Sequence, residues 1–376
     1  MIPFKAAVLR ECGLPAPFAQ SKPLRIEPCE LDPPGPTEVL VRIRAASLCH
    51  SDLSVIDGSR PRVMPMVLGH EAAGEVIEIG AGINDLMVGD KVVCIFVPNC
   101  GHCARCHEGR PALCEPGAVA NLAGTLLDGE RRLRLAGGAP VHHHLGVSGF
   151  AEYAVVSRSS LVKVAADLKF ETAALFGCAI ITGVGAVLNT ANVPVGSTVA
   201  IVGAGGVGLS CVLGAVLAGA RRIIVVDLNE SKLRFAQELG ATDAFDASAN
   251  DVVAKLKEAT TGGVDFAFET AGAAPALALA YQITRRGGTT VTAGLPNPNH
   301  QFSIPQISLT AEERTVKGSY MGSCVPQRDI PNYIEMFRRG RLPVERLVTH
   351  RIPLAEINEG FDLLASGNAG RILLTV

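Results

Sequence analysis

The segment at residues 198–227 constrains the fold most strongly, because two apolar runs flank a glycine-rich turn and a helix-compatible stretch. The first run, at 199–202, has the β-branched composition of a strand that is buried on both faces. A similar run follows at 223–226. A strand, a turn, a helix and a second strand in this order predict an α/β fold with a parallel sheet.

The glycine turn itself has the form of a dinucleotide-binding loop. Gly203 permits a tight turn, Gly205 lets a pyrophosphate approach the backbone, and Gly208 lets the helix pack closely against the strand. Gly206 and Val207 lie where the helix begins, and unpaired N–H groups there favour phosphate binding. A glycine-rich turn of some other α/β fold is the alternative.

An acidic residue ends the second of these strands. Asp227 can accept hydrogen bonds from both hydroxyls of a ribose, and it would repel a 2′-phosphate. We therefore predict that the loop binds NAD in preference to NADP.

The composition of the chain excludes several classes of function. With 376 residues, 48% of them hydrophobic, the chain is long enough for two domains with separate cores. The net charge of −2, without a basic stripe, predicts neither nucleic acid nor membrane as a partner. The first residues lack the pattern of a signal peptide, so we expect a cytoplasmic protein. In that compartment, 11 cysteines suggest metal ligands rather than disulfides.

Three separated residues could together form a catalytic zinc site. Cys49, His70 and Cys178 supply two thiolates and one imidazole, which leaves a fourth position open to water or substrate. Each of them alone would more often be a packing residue. Asp52 and Glu71 follow closely and could support the ligands, Asp52 by orienting the imidazole of His70. The alternative is that these two carboxylates are solvated groups in turns.

Four further cysteines are clustered within 15 residues, and they predict a closed structural zinc site because no position remains open for chemistry. They are Cys100, Cys103, Cys106 and Cys114. The alternative is an iron–sulfur cluster, but the ferredoxin pattern needs its last cysteine after three residues and followed by proline. Here seven residues intervene and Glu115 follows.

Several motifs together resemble one enzyme family along nearly the full length of the chain. They are GHEAAGEV at 69–76, CxxCxxCx7C at 100–114, HHHLGVSGFAEYAVV at 142–156, GCAIITGVGA at 177–186, GAGGVG at 203–208 and INEGFDLLASGNAGRILLTV at 357–376. In combination they resemble the zinc-dependent alcohol dehydrogenases of the medium-chain dehydrogenase/reductase superfamily, in its longer, liver-type branch.

The resemblance implies a GroES-like β-rich catalytic domain at 1–179 and 321–376. A Rossmann domain with a doubly wound parallel sheet is then inserted at 180–320. NAD and two zinc ions per subunit are the implied cofactors, and the ligands would bind in the cleft between the domains. The implied assembly is a homodimer, with a tetramer as the alternative, and relatives pair through edge strands that correspond here to the segment at 301–309.

The resemblance also assigns roles to single residues. Ser51 matches the hydroxyl that takes the proton of the alcohol. Asp227 and Lys232 match ribose contacts, Arg371 matches a pyrophosphate contact, and Thr182 matches a position beside the nicotinamide.

Two positions near the first zinc ligand depart from the family pattern. His50 stands where many members have an arginine that contacts the pyrophosphate, so weaker binding of NAD is expected. Ser54 replaces the relay histidine of liver enzymes, so the proton from Ser51 is expected to leave through the ribose and Ser54 to water.

The substrate pocket also departs from the pattern. Phe96, Leu145 and Leu295 match apolar channel positions, whereas His144 stands where an aromatic residue is common and Arg60 lies in a bordering loop. Although 142–144 are all histidines, consecutive residues of an extended chain point to opposite sides, so one metal among all three is not expected.

These features predict an NAD-dependent dehydrogenase that interconverts medium-sized or aromatic primary alcohols and their aldehydes. The alternative is a glutathione-dependent formaldehyde dehydrogenase, although the segment at 116–124 lacks the basic residue which that branch uses. A third hypothesis is a non-catalytic protein that binds zinc and a nucleotide. The complete set of zinc ligands and the presence of Ser51 argue against it.

Overall fold

The computed structural model describes residues 1–376, and these form two compact units. The first comprises 1–178, 325–331 and 348–376, and the second comprises 179–324 and 332–347. The division expected from the sequence differs from these units at residues 179, 321–324 and 332–347, which belong to the second unit and not to the first.

The strands are β1 (Ile2–Leu9), β2 (Leu24–Leu31), β3 (Glu38–Ser47), β4 (Met66–Val67), β5 (Ala72–Ile79), β6 (Lys91–Cys94), β7 (Leu133–Leu135), β8 (Pro140–His143), β9 (Tyr153–Ser157), β10 (Leu161–Val164), β11 (Thr198–Val202), β12 (Arg222–Asp227), β13 (Asp243–Asp246), β14 (Val264–Glu269), β15 (Thr284–Thr292), β16 (Thr315–Gly318), β17 (Val348–Pro353) and β18 (Arg371–Thr375).

The α-helices are α1 (Phe18–Ser21), α2 (His50–Ile56), α3 (Ala104–His107), α4 (Glu115–Ala123), α5 (Phe170–Ala174), α6 (Ala179–Gly185), α7 (Gly206–Leu217), α8 (Glu230–Glu238), α9 (Val252–Ala259), α10 (Ala274–Ile283), α11 (Gln306–Ala311), α12 (Pro326–Arg338) and α13 (Ile357–Ala365). No single helix is long and apolar enough to cross a membrane, although the bent pair Phe170–Gly177 and Ala179–Thr190 together meets the length and composition criteria.

The first unit is built on β-strands, as the GroES-like domain requires. Strands β1, β2, β7, β8 and β4 close a small barrel, and a seven-stranded sheet runs in the order β10, β6, β5, β3, β18, β17 with β9 also paired to β3. The C-terminal strand β18 lies antiparallel to β3, so the end of the chain returns to the sheet formed by its beginning. Aliphatic side chains fill the core beneath this sheet, among them Val39, Val41, Ile43 and Leu374.

The second unit has the predicted Rossmann architecture. Its six strands are all parallel and run in the order β13, β12, β11, β14, β15, β16, which is the doubly wound arrangement. Every residue of β11 is buried, as its β-branched composition predicts. The predicted α/β fold class is therefore confirmed, and the glycine turn lies at the carboxyl end of the central strand.

The segment expected to contribute an edge strand for dimer contacts is not a strand. Residues 301–305 are irregular and α11 begins at Gln306. The edge of the parallel sheet is instead β16, whose four residues are all exposed. Proline at 305 explains the difference, because it has no N–H to donate to a sheet and suits the position before a helix.

His143 in strand β8 is a buried histidine outside the predicted sites, and it should make the barrel sensitive to acid. Burial, with the charge of Arg132 adding to it, lowers the pKa of His143 from 6.5 to about 3. Its Nε2 atom accepts a hydrogen bond from the Arg132 N–H at 3.1 Å, which requires a neutral ring. The unfolded chain therefore binds this proton at a higher pH than the folded chain does.

We expect His143 to contribute stability that is complete above pH 6.5 and is lost as the pH falls towards 3. For one such group the free energy of unfolding should drop by about 2 kcal/mol between neutral and mildly acidic pH near 5. In a His143→Gln variant, urea unfolding at the two pH values should show that much less loss. An equal pH dependence in both proteins would contradict this assignment.

Candidate metal and cofactor sites

Three residues distant in sequence converge in the first unit. Cys49 precedes α2, His70 precedes β5, and Cys178 follows a short helical turn that ends at Gly177. The Nε2 atom of His70 lies 3.3 Å from the Sγ atom of Cys178. All three ligand atoms lie within 4.8 Å of one another, and all three residues are buried.

The chemistry of this donor set fits zinc. Both cysteines are free thiols, so no disulfide competes with metal binding. The hydrogen bond with Cys178 lowers the pKa of Cys49 well below its ordinary value, with help from His70, although burial opposes the change. The same contact raises the pKa of Cys178, as does its burial, so of the two thiols Cys49 ionises more readily. A divalent cation would let both thiols ionise, and three protein donors leave a fourth position open.

Asp52 fixes the orientation of the His70 ring. Its Oδ1 atom lies 3.1 Å from Nδ1 of His70 and accepts the Gly69 N–H at 3.1 Å. Burial opposes ionisation of Asp52, but the two histidines that face it, His70 and His144, hold its pKa well below the usual range. Because Nδ1 is directed at Asp52, Nε2 is the ring nitrogen that faces the two thiols.

The other candidate supporting carboxylate, Glu71, forms a buried ion pair with Arg371. The Arg371 guanidinium also donates a hydrogen bond to Oγ of Ser47 at 2.7 Å. Burial raises the pKa of Glu71 to about 8, and Arg371 opposes that rise. The structure thus places Arg371, the expected pyrophosphate contact, in a pair with Glu71 beside the zinc ligands, with only 4% of the residue exposed.

The four clustered cysteines also have the geometry of a metal site. Their Sγ atoms lie within 4.8 Å of one another, with 3.6 Å between Cys103 and Cys106. Backbone N–H groups point at the sulfur atoms, including that of Cys100 towards Cys114 at 3.2 Å. The N–H groups of Cys106 and Glu115 lower the pKa of Cys103 to about 6, so it ionises readily. Four thiol donors in this arrangement fit a closed tetrahedral zinc site.

The glycine turn in the second unit has the geometry that its sequence predicts. Gly203 has a φ of +101°, which other residues rarely adopt. A Cβ atom on Gly208 would lie 1.8 Å from the Gly203 carbonyl oxygen, so no larger residue fits there. A Cβ on Gly205 would meet nothing within 4 Å, and no side chain caps α7, which begins at Gly206 and Val207. Open space before an uncapped helix fits the phosphates of a dinucleotide.

Asp227 lies at the end of β12, and its side chain is hydrogen-bonded to the backbone of the glycine turn and of the residues that follow β12. Its two carboxylate oxygens accept the N–H groups of Ala204 at 2.6 Å and Asn229 at 2.9 Å. Each oxygen has a second lone pair with which to accept a ribose hydroxyl. Lys232 follows in α8 and is half-buried, while Thr182 is buried in α6.

The residues expected to handle the proton lie on α2. His50 is exposed and is the first residue of the helix, Ser51 is half-buried beside it, and Ser54 is one turn further on. Ser54 Oγ donates a hydrogen bond to the His50 carbonyl oxygen at 2.9 Å. Its proton is therefore engaged by the helix, and Ser54 must turn away from that bond in order to donate elsewhere.

The expected pocket residues fall into two groups. In the first unit Phe96 and Leu145 are buried, and the Phe96 ring meets His70 edge-on at a centroid distance of 5.5 Å. Arg60 is half-buried just beyond α2. In the second unit Leu295 is 44% exposed.

Comparison with known proteins identifies the family. The family described as alcohol dehydrogenase GroES-like domain matches residues 35–166, and the family described as zinc-binding dehydrogenase matches 206–339. An alcohol dehydrogenase zinc-binding domain protein from Burkholderia ambifaria is 38% identical, with a TM-score of 0.93, over 100% of this chain and 99% of that one. The chain belongs to the zinc-dependent medium-chain alcohol dehydrogenases.

Two further structures resemble this alcohol dehydrogenase. Benzyl alcohol dehydrogenase from Acinetobacter calcoaceticus is 32% identical, with a TM-score of 0.93 and complete coverage of both chains at 100%. A zinc-binding dehydrogenase from Sinorhizobium meliloti 1021 bound to NADP is 27% identical, with a TM-score of 0.80 and 100% coverage of both chains.

Sequence reasoning missed two contacts in the dehydrogenase. His144, expected at the substrate pocket, is buried with its Nδ1 atom 3.1 Å from Oδ1 of Asp52. The ion pair of Glu71 with Arg371 joins residues 300 positions apart. No local pattern indicates either contact, because each joins residues that are far apart in the sequence. The only sign of these contacts in the sequence was the presence of charged and polar residues within otherwise apolar motifs.

Proposed function

We propose that this alcohol dehydrogenase oxidises primary alcohols, aromatic or medium-sized, with NAD, and reduces the matching aldehydes. The observation that carries the proposal is the convergence of Cys49, His70 and Cys178, with one coordination position left open. The similarity to a benzyl alcohol dehydrogenase, at 32% identity over the full length, supports an aromatic substrate.

In this proposal Cys49, His70 and Cys178 hold the catalytic zinc, and the four clustered cysteines hold a second, structural zinc. Catalytic zinc supplies Lewis acidity, which lowers the pKa of an alcohol and polarises the carbonyl of an aldehyde. Asp52 keeps the His70 ring turned towards the metal position, while Glu71 accepts a hydrogen bond from Arg371 beside the ligands. The apolar side chains of Phe96 and Leu145 exclude water from the reacting groups.

Ser51 is the group proposed to accept the alcohol proton, because it lies two residues from Cys49 at the start of α2. Ser54 would pass that proton on to water. Once its hydroxyl turned from the His50 carbonyl, Ser54 could accept a proton from the ribose hydroxyl while it releases its own proton to water.

Asp227 supports NAD as the cofactor, because a 2′-phosphate would face its carboxylate at the end of β12. We expect Asp227→Asn to lower kcat/KM with NAD by about 10–100-fold, the effect of losing charged hydrogen bonds to the ribose. With NADP, kcat/KM should rise. Steady-state kinetics with both cofactors measures the ratio.

Asp251→Asn is a suitable control, since Asp251 is an exposed carboxylate of the same unit that pairs with Lys255. It should leave the ratio unchanged. The NADP-bound relative makes the test necessary, and a wild-type enzyme that prefers NADP would overturn this part of the proposal.

The alternative, a glutathione-dependent formaldehyde dehydrogenase, is not favoured. The segment at 116–124 has no lysine or arginine to hold a glutathione carboxylate, and most of it forms α4. Arg60 is the one basic residue that was expected near the pocket.

The substrate proposal is tested by NADH formation from alcohols that range from ethanol to benzyl alcohol, and from formaldehyde with and without glutathione. We expect the highest kcat/KM with the aromatic alcohol, and loss of activity after a chelator removes zinc. Activity confined to formaldehyde with glutathione would establish the alternative instead.

We further propose a cytoplasmic homodimer. All 11 cysteines are free thiols, which fits a reducing compartment. The exposed edge strand β16 offers unpaired backbone groups to a second copy of the chain. Analytical ultracentrifugation distinguishes a dimer from a tetramer.

A further inference from the structure

The turn that follows β8 holds His144 rigidly. The N–H of His144 donates to Oγ of Ser148 at 3.0 Å, and its carbonyl oxygen accepts the N–H groups of Val147 at 3.0 Å and Ser148 at 3.2 Å. Ser148 is itself fully buried. These three hydrogen bonds fix the backbone from which the imidazole extends, and the side chain is buried.

This ring contacts two groups of the proposed catalytic zinc site. Its Nδ1 atom lies 3.1 Å from Oδ1 of Asp52, and its plane meets that of His70 edge-on, with a centroid distance of 5.7 Å. His144 and Asp52 are 2% and 0% exposed, so water does not weaken the contact.

A single oxygen of Asp52 carries all of its contacts. Oδ1 faces Gly69, His70 and His144, whereas Oδ2 is buried without a hydrogen-bond partner. One carboxylate oxygen has about two lone-pair sites, so it cannot serve three donors equally well. In agreement with this, Nδ1 of His144 lies within reach of Oδ1 but is not aligned as a hydrogen-bond donor. At 3.1 Å the polar nitrogen still attracts the carboxylate oxygen electrostatically, and this attraction, which a hydrocarbon ring lacks, limits rotation of the carboxylate.

The Gly69 contact cannot adjust to compensate. Gly69 has a φ of +91°, and a Cβ atom there would lie 2.6 Å from Phe150. Since this backbone is fixed, the rotation of the Asp52 carboxylate depends on the two histidines. His70 would be held by zinc through its other nitrogen, which leaves His144 as the group that sets how Asp52 meets His70.

We infer that His144 is a positioning residue, which acts through Asp52 to hold His70 and thereby retain the catalytic zinc. This inference rests on the proposed zinc site. This role is separate from the substrate-pocket position that the resemblance predicts for His144.

The test compares zinc release to a chromogenic chelator from the wild-type holoenzyme and two variants. His144→Phe keeps an aromatic ring but removes the nitrogen. It should release the catalytic zinc about tenfold faster, which is the size of effect seen for supporting groups of metal sites. His144→Asn places an amide N–H where Nδ1 lies, and it should restore slow release. His143→Gln changes the neighbouring buried histidine, which does not contact Asp52, and should release zinc as the wild type does.

A spectroscopic readout accompanies the release rates. With cobalt in place of the catalytic zinc, His144→Phe should shift the visible absorption bands of the cobalt ion, while His144→Asn should not. Wild-type release and unshifted bands in His144→Phe would overturn the inference, as would equally fast release in both His144 variants. If the wild-type protein held a single zinc per chain, at the four cysteines, the proposed zinc site would fall together with this inference.

Discussion

Replacing Cys178 with serine is expected to lower kcat/KM for an aromatic alcohol on the order of 10³-fold, because a Lewis acid contributes several kcal/mol to such reactions. The variant loses one of three protein ligands, and a serine hydroxyl is a poor donor for zinc at neutral pH. The zinc content should fall from two ions to about one per chain. Metal analysis and steady-state kinetics on the same preparation measure both effects.

Cys94→Ser provides the matched control. Cys94 is a buried free thiol of the same unit, and burial raises its pKa to about 12, so it stays protonated. It lies outside both clusters of candidate metal ligands. The control should keep its zinc and its activity. A Cys178→Ser enzyme that kept both zinc ions and full activity would refute the assignment of Cys178.

Two glycine substitutions in the turn at 203–208 should separate the effect on stability from the effect on cofactor binding. Gly208→Ala puts a methyl group 1.8 Å from the Gly203 carbonyl oxygen, so the unit must distort. We expect it to lower the free energy of unfolding by about 3 kcal/mol, which shifts Tm by several degrees. Thermal denaturation without cofactor measures this change.

Gly205→Ala should leave that Tm unchanged, because Gly205 has a φ of −78° and its methyl group would enter open space. If this space receives the pyrophosphate, the methyl group should weaken NADH binding by about tenfold or more. Fluorescence titration with NADH gives the Kd. A Gly205→Ala protein that binds NADH as tightly as the wild type would show that the phosphates lie elsewhere.

The sequence predicted the second unit best, because its signals are local. The strand β11, the glycine turn and Asp227 follow one another within 30 residues, and each has a physical role that is visible from residue type alone. The four clustered cysteines were equally local. The three separated ligands were predicted from their donor types and supported by the resemblance to a known family, since no local spacing brings Cys178 to His70.

The features that the sequence did not predict depend on long-range pairing. Residues 332–347 belong to the second unit, although the tail of the chain otherwise joins the first. Arg371 matches a pyrophosphate contact by resemblance, but its buried pair with Glu71, 300 positions away, was not predicted. The resemblance predicts His144 at the substrate pocket, and it gives no sign of the contact between His144 and Asp52.

The central claim is that Cys49, His70 and Cys178 hold the zinc on which activity depends. Anomalous diffraction at the zinc absorption edge, from crystals of the active holoenzyme, tests it most directly. The account predicts two zinc peaks per chain, one bounded by these three residues and one by the four clustered cysteines. An active enzyme with zinc at the four cysteines alone would contradict it.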